Sequence, residues 1–142
     1  AESLVATPDG RLYVVTKGET GAVALYRFPR DMRPGTSVQL ERVGQPRESI
    51  KSTRNDRVTD AAASPQGDWI VLRTNRALTF YRTTALMAGD WRPAHVVDLA
   101  EFHEPQGEGV TFASDNSIFV AGEGGGKSSA GTFAHLSCTS LR

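Results

Sequence analysis

The sequence is poor in three features that would each narrow its function. Cys138 is the single cysteine among 142 residues, so it is either a small buried hydrophobe or is paired with another chain or with further sequence. Neither sign of charge predominates, because 16 basic residues balance 16 acidic ones. This balance argues against nucleic-acid binding and against a polybasic membrane patch. No apolar run approaches the roughly 20 residues that span a bilayer, and we predict no transmembrane segment.

Turn-forming and apolar residues are present in quantity instead. The chain has 14 glycines and 7 prolines, and 39% of its residues are hydrophobic. This apolar content is enough to build a core, and the length suits one domain. We therefore expect an ordered domain with many turns.

Three segments of the chain resemble one another, at residues 2–17, 59–74 and 108–123. Each reads as a small or apolar strand, a turn and a strongly β-prone strand. The turns are Pro-Asp-Gly at 8–10, Pro-Gln-Gly at 65–67 and Ser-Asp-Asn at 114–116. Proline presets φ for a turn, and glycine or asparagine accepts positive φ. The segments recur at intervals of roughly 50 residues, which is near the repeat length of four-stranded propeller blades.

Further β-prone segments follow each repeat, at residues 22–28, 38–43, 77–81, 95–99 and 132–138, with a short helical turn expected at 84–89. We therefore predict an all-β fold of three consecutive antiparallel blades with four, four and three strands, at approximately residues 1–46, 58–100 and 107–138. Propellers close with four to eight blades. The chain is thus predicted to be a portion of a β-propeller, completed by a longer chain, a partner chain or self-association. The edge at residues 132–137 is expected to pair with another segment.

Three strings carry a resemblance to a known family: residues 13–17 (Tyr-Val-Val-Thr-Lys), residues 62–74 and residues 104–113. They resemble the later blades of secreted bacterial β-propellers of the esterase-like phytase type. The resemblance implies export to the periplasm or the extracellular space, a central channel, and binding of a cation, such as calcium, or of a phosphate ester.

Six charged residues at strand ends form the candidate site. In an antiparallel hairpin, the start of the first strand and the end of the second lie at the same end, which in a propeller is one mouth of the channel. The starts carry Glu2, Asp60 and Glu108, and the ends carry Lys17, Arg73 and Glu123. The three acids at the strand starts suit a hard metal cation, and the two bases at the strand ends suit an anion. Alternatively, these residues are exposed strand ends that cap backbone groups or pair across blades.

The string Glu104-Pro-Gln-Gly-Glu108 is the most distinctive in the chain. Two carboxylates four residues apart can perform acid–base catalysis if their environments separate their pKa values. The alternative is a connection between blades in which Gly107 permits a tight entry into the next strand. The mixed-charge stretch at residues 47–57 is interpreted as a solvated connection.

Two functions stay open at this point. The first is a non-enzymatic binding or structural module of an exported bacterial protein or assembly, since no strong catalytic motif is present. The second, implied by the resemblance, is a cation-assisted hydrolase of phosphate esters or simple esters. Under either function, residues between blades should be largely buried, and we expect this for Val14, Trp69, Ile70, Leu72, Phe112, Phe119 and Val120.

Overall fold

The computed structural model describes residues 3–44, 53–125 and 130–137. Glu2 and Cys138 lie outside the described residues, as do residues 45–52, which include the first part of the predicted connection at 47–57. The described residues form three antiparallel sheets of four, four and three strands, which confirms the predicted all-β class and the number of strands.

The strands of each sheet pair in chain order. The first sheet contains β1 (Ser3–Ala6), β2 (Leu12–Val15), β3 (Leu25–Arg27) and β4 (Glu41–Gly44). The second contains β5 (Val58–Ala63), β6 (Trp69–Thr74), β7 (Ala77–Arg82) and β8 (His95–Asp98). The third contains β9 (Gln106–Phe112), β10 (Ile118–Glu123) and β11 (Thr132–Leu136). A short helix, α1 (Thr83–Met87), follows β7, and 3₁₀ turns lie at Arg54–Asp56 and Ala100–Phe102.

Strand β3 begins three residues later than the sequence predicted. The hydroxyl of Thr16 accepts a hydrogen bond from the backbone N–H of Ala24 at 2.8 Å. This side-chain contact satisfies a donor that would otherwise bond to a neighbouring strand, so regular pairing starts only at Leu25. Strand β4 likewise starts at Glu41, not at residue 38.

The predicted turn chemistry is confirmed in all three hairpins. Gly10 and Gly67 both have φ of 77°, and Asn116 has φ of 65°. Glycine adopts this left-handed region freely, and asparagine does so more readily than other residues with a side chain. Each turn thus reverses the chain and starts the second strand of its hairpin.

The second hairpin is one residue longer than the other two. The closing backbone hydrogen bond runs from Ser64 to Trp69, whereas the equivalent bonds run from Thr7 to Arg11 and from Ala113 to Ser117. Relative to the turn, every residue of β6 is therefore displaced by one. Leu72 is equivalent to Val14 of β2 and to Val120 of β10.

The three sheets stack face to face in chain order, with β1 beside β5 and β5 beside β9. One apolar cluster fills the space between the first and second sheets; it includes Val5, Val15, Ile70 and Leu72. A second cluster fills the space between the second and third sheets around Trp69 and further residues of β6, β7, β9 and β10. Strand β6 is thus covered on both faces, as expected for its continuous apolar run.

Burial is confirmed for four of the seven predicted residues: Trp69, Ile70, Leu72 and Val120. Phe112 is partly buried at the margin of the second cluster. Val14 and Phe119 are likewise only partly buried. Both lie on the outward faces of the outer sheets, which no described residue of the chain covers.

Candidate functional site

A polar cavity of about 350 Å³ lies where the three sheets meet at one end. We call it the junction pocket, and it is lined by Lys17, Arg57, Thr59, Asn75, Gln106 and Glu108. These residues come from the end of the first hairpin, the start of β5, the β6–β7 turn and the start of β9. They converge because the antiparallel hairpins place the starts of first strands and the ends of second strands at the same end.

Two of the six predicted site residues, Lys17 and Glu108, line the junction pocket. Glu123 is exposed at the end of β10, opposite Gln106 in the β9–β10 register. Asp60 and Arg73 point between sheets. The structure therefore brings together part of the predicted set at the expected end of the sheets.

Backbone and side-chain hydrogen bonds fix the walls of the junction pocket. The N–H of Val58 donates to the carbonyl of Lys17 at 3.1 Å, which joins the first sheet to the second. The N–H of Gly107 donates to the side-chain carbonyl of Asn75 at 3.1 Å, which joins the third sheet to the second. Three sheets are thus tied together around the same cavity.

The charged side chains of the pocket already have protein partners. Arg57 donates to Glu19 at 2.7 Å, and the side-chain amide of Gln106 donates to the Glu108 carboxylate. These contacts hold Arg57 and Glu108 in defined orientations. The pocket therefore presents both signs of charge at fixed positions.

Asp60 links two sheets. Its carboxylate accepts a hydrogen bond from the backbone N–H of Val110 at 2.8 Å, so β5 and β9, the first strands of their sheets, are joined across the sheet interface. This contact fits the alternative in which a strand-end acid satisfies a backbone donor of the neighbouring blade.

Arg73 lies wholly inside the protein. Its side chain is 0% exposed and forms an ion pair with Glu104, whose side chain is 2% exposed. The guanidinium also donates to the backbone carbonyls of Gly109 and Ala121. Glu104 accepts a further bond from the Thr132 hydroxyl at 2.6 Å. These contacts join β6 to the third sheet, and they differ from the predicted position at an open channel mouth.

Two glycines make room for this buried ion pair. A Cβ at Gly107 would lie 2.5 Å from a terminal nitrogen of Arg73. A Cβ at Gly122 would lie 3.0 Å from a carboxylate oxygen of Glu104 and 2.6 Å from the Thr132 hydroxyl. Gly107, in the string at residues 104–108, therefore permits a close approach of the Arg73 side chain, a role that the proposed tight entry into the next strand did not include.

Four lining residues were not predicted as site residues: Arg57, Thr59, Asn75 and Gln106. Thr59 lies one residue before Asp60, and Gln106 lies two residues before Glu108. A search that extended two residues before each predicted site residue at a strand start would have included both. Arg57 was assigned to a solvated connection, and only the packing of β5 against the end of the first hairpin brings it to the pocket.

The predicted metal site stays a prediction. Within residues 3–44, 53–125 and 130–137, no group of three His, Cys, Asp or Glu side chains is arranged to hold a metal ion. Glu2, one of the three proposed ligands, lies outside this part of the chain. Of the other two, Asp60 bonds to Val110 and Glu108 bonds to Gln106.

A larger hollow of about 660 Å³ lies on the first sheet and includes Arg11, Arg27 and Arg30 in its lining. Arg27 pairs with Glu41 at 2.6 Å, and Arg11 pairs with Asp9 at 3.0 Å. Its walls come from the first sheet and its loops alone. Because this hollow joins no two sheets, we regard the junction pocket as the candidate site.

Comparison with known proteins adds no family to this description. No protein-family model matches the chain, and no curated protein matches it significantly. In the described part of the chain, no helix has the length and apolar character needed to cross a membrane.

Proposed function

We propose that this chain is a three-blade portion of a β-propeller, of the esterase-like phytase type, that serves as a non-enzymatic binding module of an exported bacterial protein or assembly. The observation that carries the proposal is the junction pocket, to which all three sheets contribute side chains. A surface shared by successive blades is where propellers commonly present a rigid binding face.

The order of the strands supports the propeller part of the proposal. Each sheet is a simple antiparallel meander, and the first strands β1, β5 and β9 lie side by side. In a propeller blade the first strand lies nearest the channel and the last lies at the rim. The bond from Val110 to Asp60 joins two of these innermost strands.

The positions of the charged side chains favour a binding function over a hydrolytic one. Of the two carboxylates in the 104–108 string, Glu104 is buried against Arg73, and so it cannot share a solvent-filled site with Glu108. Arg73 is buried in the same ion pair and therefore cannot contact an anionic ligand. The acid–base pair suggested by the sequence is therefore divided between the interior and the pocket.

The chemistry of the pocket indicates a small polar ligand. Lys17 supplies positive charge, Arg57 supplies a guanidinium that is held by Glu19, and Glu108 and Asn75 supply hydrogen-bond acceptors and donors. A cavity of about 350 Å³ is at the lower end of the range for small-molecule sites. A molecule with one anionic group and several hydroxyl or amino groups fits these features.

Nuclear magnetic resonance titration of the chain with inorganic phosphate and with calcium chloride tests the proposal. We expect phosphate to shift the amide resonances around the pocket, and the Lys17→Met variant to lose this response. Arg30→Met, in the hollow on the first sheet, is the control and should respond like the unaltered chain. If neither phosphate nor calcium shifts the amide resonances around the pocket, the proposed binding role of the pocket is wrong.

An activity assay separates the module from the hydrolase. We expect no turnover of p-nitrophenyl phosphate or p-nitrophenyl acetate, with or without calcium. If turnover depends on calcium and Glu108→Gln abolishes it, the chain is a hydrolase and the proposed non-enzymatic function is wrong.

A further inference from the structure

The hollow on the first sheet lies at the opposite end of that sheet from the junction pocket. It is lined by Gly10, Arg11 and Leu12 around the start of β2, whereas Lys17 of the junction pocket follows the end of that strand. Arg11 and Lys17 are six positions apart, so roughly 20 Å of extended chain separates them. A small molecule in one cavity therefore does not contact the other.

The local course of the chain builds this hollow. Gly10 ends the β1–β2 turn with φ of 77° and brings Arg11 to the first position after the turn. At the end of β3 the N–H of Phe28 still donates to the carbonyl of Leu12 at 3.0 Å, but the next residue, Pro29, has no N–H to continue the pairing. The loop from β3 to β4 then supplies further lining residues, which are Arg30, Met32 and Gln39.

Three guanidinium groups line the hollow and share two carboxylates. Arg27 donates to Glu41 at 2.6 Å, across the β3–β4 pair. The guanidiniums of Arg11 and Arg30 both approach the same oxygen, Oδ2 of Asp9, at 3.0 and 3.9 Å. The contact of Arg30 is too long for a hydrogen bond. Among the described residues, one positive charge is thus left without a carboxylate of its own.

The Asp9 carboxylate does not satisfy both of these guanidiniums. Its other oxygen, Oδ1, accepts from the Thr7 hydroxyl at 2.6 Å and from the backbone N–H of Arg11 at 3.4 Å. Nε of Arg11 is buried and has no aligned hydrogen-bond partner in the described part of the chain. The side chain of Arg30 is 69% exposed and forms no hydrogen bond within that part. Arg11 and Arg30 therefore retain donors for a further acceptor.

Apolar side chains lie beside these donors. Met32 is 42% exposed, and a flexible thioether adapts to apolar groups of different shapes. The volume of about 660 Å³ falls within the range of small-molecule sites. The arrangement suits a ligand with an anionic group at one end and an apolar body at the other. The apolar lining residues are Leu12, Phe28, Pro29 and Met32.

We propose that this hollow binds a small monocarboxylic acid whose body is apolar, such as an aromatic carboxylate. A planar carboxylate matches the fork of a guanidinium and can accept from Arg11 and Arg30 together. The single surplus positive charge favours a monoanion, because a doubly charged phosphate would leave one negative charge uncompensated. The site depends neither on the proposed propeller nor on the junction pocket.

Nuclear magnetic resonance titration with benzoate tests the proposal, and benzyl alcohol serves as the probe that keeps the ring but lacks the charge. We expect millimolar benzoate to shift the amide resonances around the hollow, and benzyl alcohol to bind about tenfold more weakly. Added salt should weaken the binding of benzoate, since the arginines are partly exposed. Equal responses to the two probes would mean that only the apolar lining binds, and would overturn the proposal. The absence of any shift with benzoate would overturn it as well.

Substitutions of two arginines of the same loop locate the bound anion. Arg30→Met should raise the benzoate dissociation constant roughly tenfold, and Arg30→Lys should recover only part of the affinity because an ammonium lacks the planar fork. Arg33→Met is the matched control, since it removes the same charge from the β3–β4 loop outside the lining of the hollow. Both arginines are exposed, so the fold should survive, which circular dichroism would verify. If Arg33→Met weakens binding as much as Arg30→Met, benzoate responds to net charge alone and the proposal is wrong.

Lys17→Met separates this site from the junction pocket. It should leave the benzoate response of the hollow unchanged, just as Arg30→Met should leave the phosphate response of the junction pocket unchanged. Loss of the benzoate response in Lys17→Met would mean that benzoate acts through the junction pocket, and would overturn the second site. The phosphate titration reports separately on the proposed function, so failure of one proposal is distinguishable from failure of the other.

Discussion

At the scale of single residues, the buried pair of Arg73 and Glu104 is the most consequential feature. A charge removed from water must be compensated by a partner of opposite sign and by further hydrogen bonds. Here the Glu104 carboxylate and two backbone carbonyls accept from the guanidinium, and a threonine hydroxyl donates to the carboxylate, while Nε of Arg73 has no hydrogen-bond partner among the described residues. The pair fixes the second sheet against the third and so sets the position of β9, which carries Glu108.

Removal of one member of this pair should strongly destabilise the fold. Glu104→Gln leaves the guanidinium buried without its counter-ion, and we expect a loss of roughly 3 kcal/mol in the free energy of unfolding. The double variant Arg73→Met, Glu104→Leu should lose much less than the two single changes together. Urea unfolding measures these values. Glu41→Gln is the control, since the exposed Arg27–Glu41 pair should contribute less than about 1 kcal/mol. Equal losses for Glu104→Gln and Glu41→Gln would contradict the structural role.

Gly107 provides a second test of the same region. The Cβ of Gly107→Ala would lie 2.5 Å from the Arg73 guanidinium and would push it away from Glu104. We expect a cost of about 1–3 kcal/mol, as for other overpacked sites. Gly21→Ala is the matched control, because a Cβ there meets nothing within 4 Å. Thermal unfolding of both variants would show the difference, and a tolerated Gly107→Ala would mean that the guanidinium has room to move.

At the scale of the elements, alternation along a strand decides which face is packed. Successive residues of a β-strand point to opposite faces. In β2, Val15 faces the second sheet and is 0% exposed, whereas Val14 faces outward. The two valines are neighbours of the same type, and only their direction differs.

An aspartate at each of these two positions should therefore have unequal effects. Val15→Asp buries an unpaired charge and should cost about 3 kcal/mol or more. Val14→Asp should cost at most about 1 kcal/mol, since its side chain remains in contact with water. Urea unfolding would measure both losses. A larger loss for Val14→Asp would mean that another part of the polypeptide covers the outward face of the first sheet.

At the scale of the whole molecule, the described residues form a stack of three sheets, and within that part of the chain only the middle sheet is covered on both faces. Stability should therefore be highest around β6 and lowest at the outer strands. Strand β11 pairs only with β10 among the described residues. The predicted pairing of residues 132–137 with another segment stays a prediction.

Hydrogen exchange should reveal this gradient. The amides of β11 that point away from β10 should exchange much faster than those of β6, because open strand edges lack hydrogen-bond partners. Mass spectrometry of peptides from both strands would measure the rates in the 142-residue chain. Protection of residues 132–137 as strong as that of β6 would mean that a further strand covers this edge.

The sequence alone determined the class of fold, because its signals are local. Turn residues that accept positive φ, followed by β-prone segments, specify hairpins without any distant contact, and three such hairpins occur at the predicted positions. The same local logic predicted that Lys17 and Glu108 would lie at one end of the sheets, since an antiparallel hairpin fixes which strand ends are adjacent.

Only the tertiary structure decided which faces are buried and which charged residues are available. One additional residue in the second hairpin displaces β6 relative to its turn, and a displacement of one residue exchanges the two faces of a strand. Arg73 consequently points into the interface with the third sheet, where Glu104 and Gly107 meet it. The partners of a buried ion pair are distant in sequence, and packing between sheets, which brings them together, leaves no local signal.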